Sequence, residues 1–238
     1  MKALRFMVFN LLSWVMVPVW GLGVLLVGPF SPAAGYAIAR NWCVCVVWLA
    51  RVLCGLSYRV VGAERFPPAA CVIFIKHSSA FETILQLVEF PRACWVLKRE
   101  LLWVPIFGWT LIALRAIAIN RGAGGAAVKQ VVSQGSARLA EGICVAVFPE
   151  GTRMPAGTTR RYGKSGTLLA QASGRLIVPV AHNAGYLWPR RGFGITPGEV
   201  VFSVGEPVDP ANRNPAEVNE QIQAWVEAEV ARIVAGDI

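Results

Sequence analysis

Apolar and polar positions divide the chain into two regimes. Between Arg5 and Arg40 no charged residue appears, and residues 6–27 are apolar over a length that would carry a helix across a bilayer. Gly28-Pro29 and Ser31-Pro32 then break the run. A second apolar segment, residues 36–56, includes Arg40 and Arg51 together with Tyr36, Trp42 and Trp48, so it is less easily buried throughout. The pattern predicts a membrane-associated two-helix hairpin over residues 1–57, which crosses the bilayer twice or dips into one leaflet with its arginines at headgroup level. Either arrangement keeps both ends on one side, and Lys2, Arg5 and the basic residues after 57 make that side cytoplasmic. A cleaved signal peptide is the alternative, with Lys2 and Arg5 as its basic region and Ala37-Ile38-Ala39 as its cleavage site, but the apolar region is too long for one.

From Tyr58 the pattern changes to short β-prone runs alternating with longer mixed segments. Strands are expected at 58–62, 71–75, 94–98, 116–120, 144–148, 176–181 and 200–205, and helices at 80–89, 124–140, 164–173 and 215–235. The strands are continuous Val/Ile/Ala runs rather than alternating ones, which suits strands covered on both faces. The expected fold is α/β, a mixed, largely parallel sheet flanked by helices over residues 58–238, preceded by the hairpin. No internal repeat or low-complexity tract is present.

Composition narrows the partners. The chain is 55% hydrophobic with formal net charge +9, and its mean hydropathy of +0.51 exceeds what a soluble domain needs. High hydropathy combined with positive charge favours a lipid surface over nucleic acid, whose binding modules are not recognisable here. The cysteines, Cys43, Cys45, Cys54, Cys71, Cys94 and Cys144, all lie in or beside apolar stretches with no C-x-x-C pair. They read as buried thiols in a reducing compartment rather than as a disulfide framework or a metal site.

In α/β sheets chemistry gathers where strands hand over to loops at their carboxyl ends. Two such junctions are unusually polar, "KHSSAFE" at 76–82 and "PEGTRMPAGTTRRYGKSG" at 149–166. Ser79 and Glu82 have capping-box spacing, which gives Glu82 a structural reading. His77 lies outside that helix, and the turn can fold it back toward Glu82, where a regular helix would point the two about 140° apart. A carboxylate holding one imidazole nitrogen fixes the tautomer and leaves the other to take a proton, as deprotonation of an alcohol requires. Ser78 and Ser79 lack a G-x-S-x-G setting, so the attacking hydroxyl is expected from a substrate. In the second junction "YGKSGT" falls short of a nucleotide-binding loop, because the required glycine would stand at Thr158. Arg153, Arg160, Arg161 and Lys164 read either as a phosphate grip or as a solvated basic face.

The blocks "HSSAFE" (77–82), "KREL" (98–101), "GWTLIALRAIAINR" (108–121), "FPEGTR" (148–153) and "VPVAHNAG" (178–185) resemble, in this order, those of the glycerolipid acyltransferases. Within that family they are most similar to bacterial 1-acyl-sn-glycerol-3-phosphate acyltransferases. The resemblance spans roughly residues 60–205, with one departure, Glu82 where the family usually has Asp. It implies that His77 is the general base for the sn-2 hydroxyl of lysophosphatidic acid and that Glu82 orients it. It further implies a phosphate grip by Arg153, Arg121 and Lys98, a pocket shaped by Glu150, Gly151, Thr152, Gly108 and Pro179, and no metal or cofactor. The acyl donor would be acyl-CoA or acyl carrier protein, and the product phosphatidic acid. The enzyme would be a monotopic protein of the bacterial inner membrane with its catalytic domain on the cytoplasmic face. Another lysolipid acceptor, such as a lyso-ornithine lipid, and a non-enzymatic protein binding anionic lipids are the alternatives.

Overall fold

The computed structural model describes residues 2–191 and 194–238. Two antiparallel helices open the chain, α1 (Lys2–Val27) and α2 (Pro32–Cys54). Ser31 caps α2 by accepting from the Ala34 N–H, and Gly55 ends it in the left-handed region. Both helices are long and apolar enough to cross a membrane. They meet along a seam of small residues, where Gly35 lies against Gly28, and Trp20 Nε1 donates to Asn41 Oδ1 at 2.9 Å.

Seven strands then form one sheet: β1 (Leu56–Val61), β2 (Val72–Ile75), β3 (Ala93–Lys98), β4 (Ile117–Ile119), β5 (Cys144–Val147), β6 (Ile177–His182) and β7 (Gly198–Val204). Their order is β1-β7-β6-β2-β5-β3-β4. Every neighbouring pair is parallel except β6 and β7. All seven expected strands are present with bounds shifted by at most two residues, and the helices α3 (Phe81–Glu89), α5 (Gly125–Ala140), α6 (Ser165–Ser173) and α8 (Pro215–Ala235) stand where the pattern put them. Two short helices were not anticipated, α4 (Phe107–Ala113) and α7 (Ala184–Leu187).

The sheet separates two apolar layers. On one face Ile73, Ile75, Val178, Val180 and Phe202 pack against α2 and α3 through Val46, Leu49, Phe81 and Leu85. On the other face Val72, Phe74, Val145 and Val147 meet α5, α6 and α8 through Val131, Leu169, Ile222 and Val226. The central strands β2, β5 and β6 thus bury both rows of side chains, the physical reason that their sequences read as unbroken apolar runs, whereas the edge strands β1 and β4 are only partly buried. The first layer also holds Phe9 of α1 and Cys43 of α2, so packing is continuous across the expected division at residue 57. Among the cysteines only Cys45 is half-exposed, and none forms a disulfide.

The register of the central strands fixes the site. β2 lies between β5 and β6 with Phe74 opposite Val147 and Ile75 opposite Val180. The loops leaving β2 and β5 therefore emerge side by side at the carboxyl edge, where the chain order of the sheet reverses.

Candidate active site

His77 stands two residues beyond the end of β2, and the turn that follows it folds back as the sequence suggests. His77 Nδ1 lies 2.9 Å from Glu82 Oε1. The same oxygen accepts the backbone N–H groups of Ser78 and Ser79 at 3.1 and 2.9 Å. This is the carboxylate half of the capping box. The serine half differs from expectation, because the helix begins one residue later, behind Ala80, and Ser79 Oγ accepts from Phe81 N at 3.1 Å. Capping and histidine binding are therefore not alternatives: one oxygen does both.

Glu82 is fully buried. Burial alone would raise its carboxyl, but the His77 hydrogen bond, the neighbouring His182 and His77 rings and the Ser79 N–H outweigh it, so Glu82 lies below its ordinary range and is ionised. A buried anion of this kind stabilises an imidazolium and orients the ring that becomes one. Its second oxygen, Oε2, has no hydrogen-bond partner among the described residues and lies 4.0 Å from His182 Nε2. His182 is buried at the end of β6, donating through Nε2 to the Lys76 carbonyl at 2.7 Å and accepting the Ala184 N–H at Nδ1. Both ring nitrogens are thus committed to the neutral form, and burial holds His182 below its ordinary value against the pull of Glu82.

A second carboxylate supports His77 from behind. Glu150 Oε2 accepts the His77 N–H at 2.7 Å, while its other oxygen faces Lys76 Nζ at 3.5 Å. Lys76 is buried and also pairs with Glu227 of α8. Burial, opposed chiefly by the Lys76 charge, pushes the Glu150 carboxyl up to about 7. The loop after β5 closes the arrangement: Met154 N donates to the His77 carbonyl at 2.7 Å, and the Phe148 ring stacks on the imidazole with centroids 4.1 Å apart. Phe148 was legible only as part of "FPEGTR", and its stacking role could not be read before β2 and β5 were known to be neighbours.

His77 lines a cavity of about 460 Å³. Its walls are apolar and come from both regimes of the chain: Phe9, Trp14, Val17 and Gly21 of α1, Trp42 and Val46 of α2, Leu97, Phe107 and Leu111 of the α/β part. Lys98 and Arg153 line the same cavity. Arg153 Nε is buried with no hydrogen-bond partner among the described residues, and the Arg153 carbonyl is held by Arg190 at 2.7 Å. Lys98 is exposed, with Nζ 3.8 Å from Glu100.

Other expected site residues fall elsewhere. Pro179 lies on the opposite face of the sheet, beside Val208, Ile222 and Trp225, because strand alternation turns Val178 and Val180 toward the cavity layer instead. Gly108 lies outside the cavity lining; a Cβ there would meet the Leu102 carbonyl oxygen at 2.4 Å, so it serves close packing of α4. Glu150 grips the His77 backbone rather than lining the cavity, and Gly151 and Thr152 make the turn beside it, Gly151 at φ 71°. Arg121 heads a 3-10 turn, Arg121–Ala123, and its side chain lies outside the described residues. Among the described residues no cluster of His, Cys, Asp or Glu is placed to hold a metal ion.

A family model described as Acyltransferase matches residues 57–183. The chain is 40% identical to a 1-acyl-sn-glycerol-3-phosphate acyltransferase of Pseudomonas aeruginosa over 98% of its own length and 92% of the relative's. It is 31% identical to a protein of the same name from Borreliella burgdorferi over 56% of this chain and 52% of that one. Its fold matches the crystal structure of the 1-acyl-sn-glycerophosphate (LPA) acyltransferase PlsC from Thermotoga maritima with a TM-score of 0.83 at 22% identity, covering 98% of this chain and 96% of that one.

Proposed function

Because the chain belongs to the acyltransferase family, we propose that it transfers a fatty acyl group to the sn-2 hydroxyl of lysophosphatidic acid, giving phosphatidic acid. The observation that carries this reading is the His77–Glu82 pair at the head of an apolar cavity that also holds Arg153 and Lys98. A lysolipid has this composition: an acyl chain for the apolar walls, a phosphate for the cations, and a hydroxyl between them. The buried Arg153 Nε without a protein partner supports a guanidinium that completes its hydrogen bonds on phosphate.

Glu82 holds His77 as the Nδ1–H tautomer, so Nε2 takes the proton from the sn-2 hydroxyl. The resulting oxygen attacks the thioester carbonyl of acyl-CoA or acyl carrier protein. A new C–O ester bond forms as the C–S bond breaks, and the imidazolium returns its proton to the departing thiolate. The donor brings its own activated bond, so the reading includes no cofactor and no covalent acyl-enzyme. Arg153 and Lys98, with Arg121, are assigned to the acceptor phosphate, and Glu150 to setting the His77 backbone. Residues 1–57 are assigned to anchoring and 58–238 to chemistry, at the cytoplasmic face of a bacterial inner membrane, a reading supported by the apolar outer surface of α1 and the basic residues near its start.

The test is incubation of the purified protein with lysophosphatidic acid and labelled acyl-CoA, with product identification. Labelled phosphatidic acid is expected from the parent and not from His77→Ala. Acylation of a phosphate-free lysolipid in preference to lysophosphatidic acid would overturn the choice of acceptor.

A further inference from the structure

The hairpin is not alone in exposing large apolar side chains. The 3-10 turn Arg99–Trp103 and α4 expose Trp103 at 71%, Trp109 at 50% and Ile112 at 57%, with Leu101 and Val104 also exposed on either side of Trp103. Lys98 and Arg99, which share Glu100 at 3.8 and 4.0 Å, precede this stretch, and Arg115, paired with Glu141 at 2.8 Å, follows it. An apolar segment carrying two tryptophans and flanked by charged residues, with one cation in excess over Glu100 on a chain of net charge +9, has the composition of chain that lies in a membrane interface, apolar side in the acyl boundary and charges at headgroup level.

Its placement agrees with its composition. α4 docks on α1: a Cβ on Gly21 would lie 2.5 Å from Ile106 Cγ2, and the Trp14 and Phe107 rings are 6.5 Å apart. The exposed face of α4 therefore continues the exposed face of α1, where Trp14, Val15 and Leu22 point outward. Ile106 sits at φ 62°, a conformation that costs a β-branched residue energy, so the shape of the turn is imposed by this packing rather than left to a floppy loop.

We propose that residues 101–112 are a second membrane-contact element, lying on an anionic bilayer beside α1, so that the cavity between α1 and α4 is bordered on both sides by surface that meets lipid. The proposal rests on the reading of α1 as a bilayer anchor. It adds that the α/β part of the chain touches the membrane directly, at a site defined by its own residues.

The test uses the full-length protein in vesicles of phosphatidylglycerol and phosphatidylethanolamine containing a lipid with a nitroxide near its carbonyl. An environment-sensitive fluorophore is attached to Ile112→Cys on α4, to Leu11→Cys on the exposed side of α1, and to Glu220→Cys on α8, with the labelled parent giving the background of the native cysteines. Quenching at position 112 comparable to that at 11, and none at 220, is expected. Quenching at 11 without quenching at 112 would overturn the proposal and leave the hairpin as sole anchor, whereas none at either position would bring down the anchor reading as well. A spectral shift at 112 that grows with protein concentration in detergent would overturn it in favour of a second copy of the chain. Trp103→Ser combined with Trp109→Ser should lower transfer to vesicle-embedded lysolipid about tenfold, the equivalent of ~1.4 kcal/mol of interfacial binding, while leaving turnover in detergent micelles unchanged. Equal loss in both settings would count against it.

Discussion

At the scale of single residues, Glu82 ties helix capping to the orientation of His77, because Oε1 receives the Ser78 and Ser79 N–H groups together with His77 Nδ1. Glu82→Gln keeps an oxygen for the two N–H groups but removes the charge that supports an imidazolium. We expect thermal stability near the parent's and turnover lower by roughly a hundredfold, at the low end of what a general base contributes, and Glu82→Asp to retain the larger share of activity; an active Gln variant would leave Glu82 only its capping role. Arg153→Lys keeps charge without the planar fork, so the acceptor KM should rise more than the donor KM, as paired titrations of the two substrates would show. The other histidine gives a pH signature. His182 is depressed in the fold, so its contribution to stability is present above the unfolded imidazole value, ~6.5, and is lost as pH falls below it. Glu150 runs the other way, its contribution being present at low pH and lost as pH rises through about 7. The useful measurement is therefore the melting-temperature gap between parent and His182→Gln, which should narrow from pH 8 to pH 5; a constant gap would show that protonation of His182 is not linked to folding.

At the scale of elements, the central strands were legible because burial on both faces leaves unbroken apolar runs, and the hairpin because its two helices are apolar over lengths that could cross a membrane. α4 was not. Pro105 and Gly108 signal a break, and docking on α1 stabilises the seven-residue helix Phe107–Ala113 that carries Gly108 in its first turn. The cavity was equally hidden, since Val17 and Gly21, which line it, and Val15 and Leu22, which face outward, are all apolar and differ only in direction. The His77–Glu82 approach could be read from a turn ahead of a capped helix, but the Phe148 stack and the Lys76–Glu150–Glu227 cluster needed strand order and the position of α8. Pro179 failed for a simpler reason, the alternation of one strand. Gly21 offers a test at this scale: Gly21→Val drives a side chain into Ile106, which is β-branched and already held at positive φ. We expect overpacking of about 1–3 kcal/mol, seen as a lower melting temperature together with reduced turnover, because α1 and α4 wall the cavity jointly.

At the scale of the whole molecule, Phe9, Cys43, Val46 and Leu49 share one core with Ile73, Phe81 and Phe202. A chain beginning at Tyr58 should therefore bind membranes more weakly, through the 101–112 element alone, and lose its cavity wall, leaving an aggregation-prone protein without activity; a monodisperse, active fragment would show that the core tolerates the cut. The shared wall has a kinetic consequence. Under the proposed anchoring, a cavity framed by α1 and α4 would be filled from the bilayer, by a lysolipid diffusing in a sheet two molecules thick, so the quantity that sets occupancy would be substrate per unit area and not per unit volume. Diluting the vesicles with buffer should leave the rate per enzyme nearly unchanged, while diluting the lysolipid with inert phospholipid at constant bulk concentration should lower it in proportion. On the proposed anchoring, the membrane would be the solvent in which the substrate is dissolved.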